Sequence, residues 1–360
     1  MGFGRVNALS SPEPTLPRGS RTHDEVEMEY RTLRQTDLKV SRLCCGTGTF
    51  GTQPDEATAR RIVDRCIDSG VTFFDSANVY NKGQAESILG ETLAGRRHKV
   101  ILATKVGYKM GEGPDESGLS RAAILKAIDA SLKRLRTSYV DIYYLHMPDY
   151  EVPIEETLAA IDEVVRAGKV RYPAVSNHAA WQVCELYLTA KIKDFAPATI
   201  SQPMYNMLAR GIENEYLAFC KRFGIAVVSY NPLAGGLLTG KHSPGRPPLP
   251  GTRFDESQQA ESAQAWAKRY QDRYWNEDNF RVVEELKTIA KEAGRSLVEL
   301  AFQWLLSREE VDSVILGATR LEQLEENLKA FEGEKLDGSV LVRCDAVTNR
   351  LRGITPKYNR

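Results

Sequence analysis

The chain is poor in the groups that hold structural metals or bridge a small fold. Six cysteines are spread over 360 residues, two of them adjacent at Cys44 and Cys45 and the others at Cys66, Cys184, Cys220 and Cys344. None has the paired spacing of a zinc site, so each reads as a small buried hydrophobe in a reducing setting. No metal is expected, and a cytoplasmic location is. Net charge is also missing: 48 Lys and Arg balance 48 Asp and Glu. That leaves no global basic field for nucleic acid or an anionic membrane. No apolar run approaches the roughly 18 residues that span a bilayer. The N-terminus lacks the apolar core of a secretory signal, and Val6 stands where a myristoylation signal needs Ser or Thr. Residues 1–27 are rich in Pro, Ser, Gly and charge and read as a disordered extension.

What is present from there on is alternation. Short apolar runs such as "VTFFDSA", "KVILATKVG" and "VDIYYLH" are separated by amphipathic stretches. In "PDEATARRIVDRCIDSG" the apolar stripe is Ala57, Ile62, Val63, Cys66 and Ile67, with Pro54 suited to the first helical turn. Ser120 is a candidate N-cap for "RAAILKAIDASLKRL". Eight strand–helix units run from Leu43 to Phe331. Continuous apolar strands of this kind belong to a parallel sheet covered by helices. Eight of them give the arithmetic of a (β/α)8 TIM barrel. "EYRTLRQTDLKVS" reads as an N-terminal β-hairpin closing the barrel floor. Residues 28–360 form a single domain on this reading, with a C-terminal tail from about 333. The stretch 241–264, rich in Pro, Gly and Ser, reads as a long loop in the seventh unit, and loops this long usually serve function.

Two phosphate-binding motifs are imitated. Gly46, Gly48 and Gly51 spell G-x-G-x-x-G, with Asp75 at the end of the next strand. A dinucleotide fingerprint needs its helix to open at the glycines, yet "TQPD" intervenes before the helix. "GGLLTGKH" keeps the spacing of a nucleotide-triphosphate loop, but His242 replaces the hydroxyl that would hold magnesium.

In such a barrel, catalytic groups sit at the C-terminal ends of strands. Strand two ends in Asp75, with Tyr80 in the following loop; strand three ends in Lys105 and strand four in His146. Each alone is an ordinary cap, packed ring or solvated charge. Together they make a proton-donating device. A phenol with a pKa near 10 is a weak donor to a carbonyl oxygen, and a neighbouring ammonium stabilises its conjugate base. Asp75 would orient Lys105, and a neutral His146 would hydrogen-bond the carbonyl. Hydride must come from a cofactor, because no side chain supplies one. A barrel aldolase forming an imine on Lys105 is the competing chemistry, and it leaves Tyr80 and Tyr230 without a task.

"FFDSANVY", "ATKVG", "YYLHMPD", "AVSN", "SQPMYN", "SYNPLAGGLLTGK" and "LGATRLEQLEEN" follow one another across nearly the whole chain after residue 29. In that order they resemble the aldo-keto reductase family. "GTRF", "RYW" and the ending "PKYNR" are similar to its aflatoxin-aldehyde reductase branch, and the potassium-channel β-subunits are another similar branch. The resemblance implies Asp75, Tyr80, Lys105 and His146 as a catalytic tetrad, NADPH as cofactor with NADH possible, and a small carbonyl compound as substrate. It implies Ser176, Asn177 and Gln202 on the nicotinamide carboxamide and Tyr230 stacked on its ring. Asn231, Pro232, Leu233, Ala234 and Gly235, with Lys241, would cradle the pyrophosphate. Gly317, Thr319, Arg320, Gln323, Glu326 and Asn327 would hold the adenosine end. Thr49, Phe50 and Arg253 complete the expected cofactor set. A cofactor-sensing subunit of a larger complex is the alternative, and a monomer or homo-oligomer fits either. Cys45, Asn81 and Pro173–Ala174 depart from the commoner residues and bear on pocket shape rather than on the tetrad.

Overall fold

The computed structural model describes residues 28–257 and 261–353. The expected disordered extension at 1–27 and the ending "PKYNR" lie outside them.

Two antiparallel strands come first, β1 (Tyr30–Thr32) and β2 (Lys39–Ser41). Eight strands then close into a parallel barrel, with the last paired to the first. Along the chain these alternate with helices: β3 (Leu43–Gly46), α1 (Glu56–Asp68), β4 (Phe73–Asp75), α2 (Gln84–Thr92), β5 (Ile101–Val106), α3 (Arg121–Leu135), β6 (Val140–Leu145) and α4 (Ile154–Arg166). The second half continues with β7 (Val170–Ser176), α5 (Ala180–Lys193), β8 (Ile200–Gln202), α6 (Tyr216–Phe223) and β9 (Ala226–Ser229). Three helices follow, α7 (Glu261–Tyr274), α8 (Glu277–Glu292) and α9 (Leu297–Leu306), before β10 (Ser313–Leu316), α10 (Leu321–Glu332) and α11 (Gly338–Asn349). The (β/α)8 reading therefore holds, including its hairpin.

Local chemistry sets the helix starts. Asp55 caps α1 by accepting from Thr58 N at 2.6 Å, four residues past Gly51, so no helix opens on the glycine motif. Gly46 instead lets two strands approach: a Cβ there would meet Ile315 Cγ2 at 2.7 Å. Ser120 caps α3 as expected. The buried face of α1 is Ala59, Ile62, Val63 and Cys66; Ala57 is exposed, one position off the stripe.

The hairpin plugs the floor. Leu33, Leu38 and Val40 pack into the barrel interior against inward residues of all eight strands, including Phe73, Ile142, Ile200 and Ile315. All three are fully buried, each worth about 1.5–3 kcal/mol relative to exposure. Gln35 pins the turn by donating to Phe223 O and Gly224 O at 2.9 and 3.0 Å.

Two elements differ from the sequence reading. The polar stretch after Gly240 does not stay a loop through 264, because α7 begins at Glu261. Its buried residues, Ala267, Tyr270 and Tyr274, lie at helical spacing in a mostly exposed segment that hides the pattern. The segment from 333 is largely helical: α11 packs on α8, with Cys344 and Thr348 buried. Trp304 Nε1 donates to Asp345 at 2.9 Å and Arg210 to Thr348 Oγ1 at 2.6 Å, which ties α11 to the barrel wall.

Candidate active site

The barrel interior shows how period-two alternation builds the site. Cys44, Phe73, Ala103, Tyr144, Ala174, Ile200, Val228 and Ile315 are inward residues, one from each strand. Two residues further along each strand, toward its C-terminal end, comes the next inward position. Those positions are Gly46, Asp75, Lys105, His146, Ser176, Gln202, Tyr230 and Gly317. One layer of the pleat thus carries Asp75, Lys105, His146, Ser176, Gln202 and Tyr230. The two adjacent glycines, on β3 and after β10, add no side chain to it.

Lys105 is fully buried, and its ammonium is paired with Asp75. It also donates to Ser76 O at 2.7 Å and to the Tyr80 hydroxyl at 3.3 Å. Gln202 Nε2 holds the second Asp75 oxygen at 2.9 Å. Burial alone would lower the Lys105 pKa, but Asp75 and Tyr80 outweigh it, and the net shift is upward. The amine stays a cation, which makes it a poor nucleophile for imine formation.

Tyr80 sits in a short helical turn after β4, half-buried, with its ring 5.9 Å from that of His146 and edge-on to it. Burial raises its phenol pKa; Lys105 pulls the other way and Asp75 adds to the rise. The net shift is upward. The ammonium opposes that rise without reversing it, so the phenol is protonated at neutral pH. His146 is pushed well below its ordinary pKa, first by burial and then by Lys105, so its ring is neutral. Its Nδ1 is buried without a partner.

Ser176 Oγ donates to Gln202 O at 2.9 Å, and Asn177 Nδ2 donates to His146 O at 2.8 Å. Tyr230 donates its hydroxyl proton to Asn177 Oδ1 at 2.7 Å. Asn231, at φ 64, accepts from Gly235 N at 2.7 Å and donates to Tyr274 at 2.8 Å. From there the chain passes Pro232 and Leu233 into three consecutive left-handed residues, Ala234, Gly235 and Gly236. A Cβ on Gly235 would meet Tyr270 at 2.7 Å. Lys241 follows, its pKa lowered by burial and by the charge of Arg320. Arg253 reaches across the mouth: one terminal nitrogen donates to Tyr270 at 2.8 Å, and the other lies 3.5 Å from where a Cβ of Gly317 would be. Arg320 is the N-cap of α10 and exposed, with no side-chain cap there. Gln323 turns back to accept from Thr319 N at 3.0 Å. Asn327 is buried with an unpartnered Nδ2, and Glu326 is exposed. Phe50 is buried beside the mouth, with a Thr49 hydroxyl that has no partner. Among the described residues no group of three or more His, Cys, Asp or Glu is placed to hold a metal ion.

The family model for the aldo/keto reductase family matches residues 42–349. The chain belongs to that family. A rice (Oryza sativa subsp. japonica) relative named as a probable voltage-gated potassium channel subunit beta is 39% identical over 310 residues, covering 85% of this chain and 92% of its own. The Escherichia coli K12 L-glyceraldehyde 3-phosphate reductase is 34% identical over 330 residues, 89% of this chain and 92% of the relative. Rat (Rattus norvegicus) aflatoxin B1 aldehyde reductase member 2 is 34% identical over 331 residues, 88% and 86% respectively. Members named as reductases place this reductase fold among oxidoreductases.

Two residues at the mouth of this family member escaped the sequence reading. Tyr108 stands edge-on to His146 with ring centroids 4.7 Å apart, and Trp266 meets Tyr108 at 6.5 Å. Tyr108 lies three residues past Lys105, within reach of a strand-end argument. Trp266 belongs to α7, the helix whose existence the polar composition concealed.

Proposed function

We propose that this protein reduces an aldehyde or ketone to an alcohol with NADPH, Tyr80 being the proton donor. The observation that carries the reading is the Tyr80 hydroxyl at 3.3 Å from the Lys105 ammonium, beside the neutral His146 ring, at one barrel mouth. A carbonyl oxygen seated between the phenol and the imidazole would be oriented by both. The bound nicotinamide would supply the hydride, two electrons to the carbonyl carbon. As the C=O π pair moves to oxygen, the Tyr80 O–H bond breaks and its proton completes the alcohol. Lys105, held cationic by Asp75, stabilises the phenolate until solvent returns the proton. His146 keeps the oxygen in place without carrying charge.

The donor set fits a dinucleotide phosphate. Lys241 and Arg320 are cations close enough to depress the Lys241 pKa, and neither has an ion-pair partner among the described residues. The α10 N-terminus between them presents backbone N–H groups with no side-chain cap. The buried, unpartnered Nδ2 of Asn327 lies about two helical turns further along α10. Ser176, Asn177 and Gln202 would hold the carboxamide, and Tyr230 the ring face. Asn231–Gly235, Lys241 and Arg253 would take the pyrophosphate. Thr319, Arg320, Gln323 and Glu326 would take the adenosine end.

The test is loss of NADPH absorbance with a panel of aldehydes, α-dicarbonyls and sugar aldehydes, repeated with NADH. Turnover of at least one class is expected, faster with NADPH. The rice relative's name, and an Arabidopsis thaliana relative 41% identical with the same name, favour a second reading as a cofactor-sensing subunit. Tight NADPH binding without turnover on any member of the panel would select it. Cytoplasmic residence and a small-molecule partner go with the first reading; no helix among the described residues is long and apolar enough to cross a membrane.

A further inference from the structure

Three consecutive left-handed residues follow Tyr80: Asn81, Lys82 and Gly83, at φ 49, 51 and 89. Glycine enters that region freely, and asparagine is among the few side chains that tolerate it. Such a turn persists only where its surroundings over-determine it. At its far end, a Cβ on Gly83 would meet Arg134 at 2.6 Å, and Arg134 donates to Glu86 at 2.7 Å. At its near end, Asn81 Nδ2 donates to Phe50 O.

Phe50 belongs to the loop that spells G-x-G-x-x-G, the motif on which no helix opens. That loop is a bed for the Tyr80 turn. The Tyr80 ring lies over Gly48, 3.7 Å from where a Cβ there would be. Gly51, at φ 85, stands under the same turn, since a Cβ on it would meet Gln84 at 2.8 Å and the Asn81 Cβ at 3.6 Å. The bed is itself fixed to Asp75. Phe50 N donates to Thr47 O at 2.9 Å, and Thr47 donates to Asp75 O from its N at 2.9 Å and its Oγ1 at 3.1 Å. The contacts close a circuit. It runs from Asp75 through Thr47 and Phe50 to Asn81 and Tyr80, then from the Tyr80 hydroxyl through Lys105 back to Asp75. Its link from hydroxyl to ammonium, at 3.3 Å, is at the long end of the hydrogen-bond range, so a small displacement of the ring breaks it.

We infer that Asn81 is a positioning residue for the proton donor: through the Phe50 carbonyl it holds the Tyr80 hydroxyl within reach of Lys105 and of the substrate oxygen. This rests on the reductase reading above and adds a residue to it. The glycine motif then supports the proton donor, not a pyrophosphate at a helix end.

Asn81→Gly in the full-length protein tests it, because glycine keeps the left-handed backbone and removes only the side-chain bond. The variant should fold, with a urea midpoint near that of wild type. With an aldehyde that wild type reduces, kcat should fall by roughly tenfold to a hundredfold, the scale of a misplaced reacting group, while KM and NADPH binding stay nearly unchanged. A cycle with Tyr80→Phe separates positioning from general damage. In that background Asn81→Gly should cost nothing further, since no hydroxyl is left to place. Asn81→Asp adds a pH readout. Its ionised carboxylate cannot donate to Phe50 O, whereas the protonated acid can. Its kcat relative to wild type at the same pH should therefore rise as pH falls from about 7 to about 5, and that of Asn81→Gly should stay flat. Normal kcat in Asn81→Gly, an equal loss in both backgrounds, or an Asn81→Asp ratio that does not rise overturns the assignment. A wild type that turns over no aldehyde removes the reductase reading, and the assignment with it.

Discussion

Asp75, Lys105, Gln202 and Ser176 satisfy one another inside the barrel, whereas Lys241, Arg269, Arg273 and Arg320 stand around its mouth with no carboxylate paired to them among the described residues. The first group is built on strands, where the pleat fixes each side chain, and its charges balance when the protein is alone. The second is built on α7, the α10 N-terminus and the loop at Lys241, and no carboxylate among the described residues is paired with it. Chemistry and recognition are thereby separated. On the proposed function, the inner set donates the proton, and Lys241 and Arg320 of the outer set hold the ligand.

Breaking the inner set should have the largest effects. Tyr80→Phe removes only the hydroxyl at 3.3 Å from Lys105. Turnover should drop by roughly 10²–10⁴-fold, the usual worth of a general acid, while NADPH titrated by quenching of intrinsic fluorescence binds as before. Near-normal turnover would take the proton-donor role away from Tyr80.

Lys105→Met strikes stability as well as rate, because it strands the Asp75 carboxylate in a buried site. Removing one member of a buried pair costs about 3–5 kcal/mol, and urea unfolding should show a loss of that size. Adding Asp75→Asn should restore a good part of the stability and none of the activity. If the single variant unfolds at the wild-type denaturant concentration, the pair is not buried as described. Borohydride trapping of a carbonyl substrate on wild-type Lys105 would instead revive imine chemistry.

The outer set should show smaller, ligand-dependent effects. Arg320 is exposed at the α10 N-terminus, so its removal should leave folding alone. Arg320→Ala should weaken NADPH by about 1.5–3 kcal/mol, the value of a hydrogen bond to a charged group, and leave NADH nearly unchanged. Equal losses for both cofactors, or none, would exclude Arg320 from the 2′-phosphate.

The same division explains what the sequence could and could not tell. Asp75, Lys105 and His146 were legible from their places at strand ends, while Ser176, Gln202 and Tyr230 came only through the family resemblance; the pleat puts all six in one layer. Their mutual distances were not, since those depend on barrel stagger. The sequence argument gave Lys105 control over Tyr80, but burial outweighs it and the phenol pKa rises on balance. Such a balance needs the surroundings of the ring, which no local pattern records. Helix α7 was missed for a related reason: its task is to cover a loop, so only Ala267, Tyr270 and Tyr274 are buried in a polar stretch. Trp266 fell with it, whereas Tyr108, three residues past Lys105 and 4.7 Å from His146, lay within reach of the strand-end argument.

The smallest effect expected is a pH effect at the joint between the two sets. His242 follows Lys241 and is buried between Phe254 and Trp275, with ring centroids at 5.2 and 5.0 Å. Neither ring nitrogen has a hydrogen-bond partner. Burial, and then the charge of Lys241, push its pKa down to about 4. Unfolded, the ring would titrate near 6.5. Between those values the unfolded chain binds the extra proton, so stability rises with pH across that interval and is complete above about 6.5. It is lost as pH falls, by about 2 kcal/mol at pH 5. His146 and His178 are lowered by burial too and add in the same sense. Asp312 and Glu332, raised by burial, act in the opposite one. His242→Leu should therefore narrow the difference in unfolding free energy between pH 7 and pH 5 by about 2 kcal/mol and leave a residual slope from the other two rings. Because the substitution also removes two unsatisfied nitrogens, stability at pH 7 should not fall. An unchanged difference between the two pH values would mean that His242 takes up its proton in the folded protein, and that the aromatic clamp behind Lys241 is open to water.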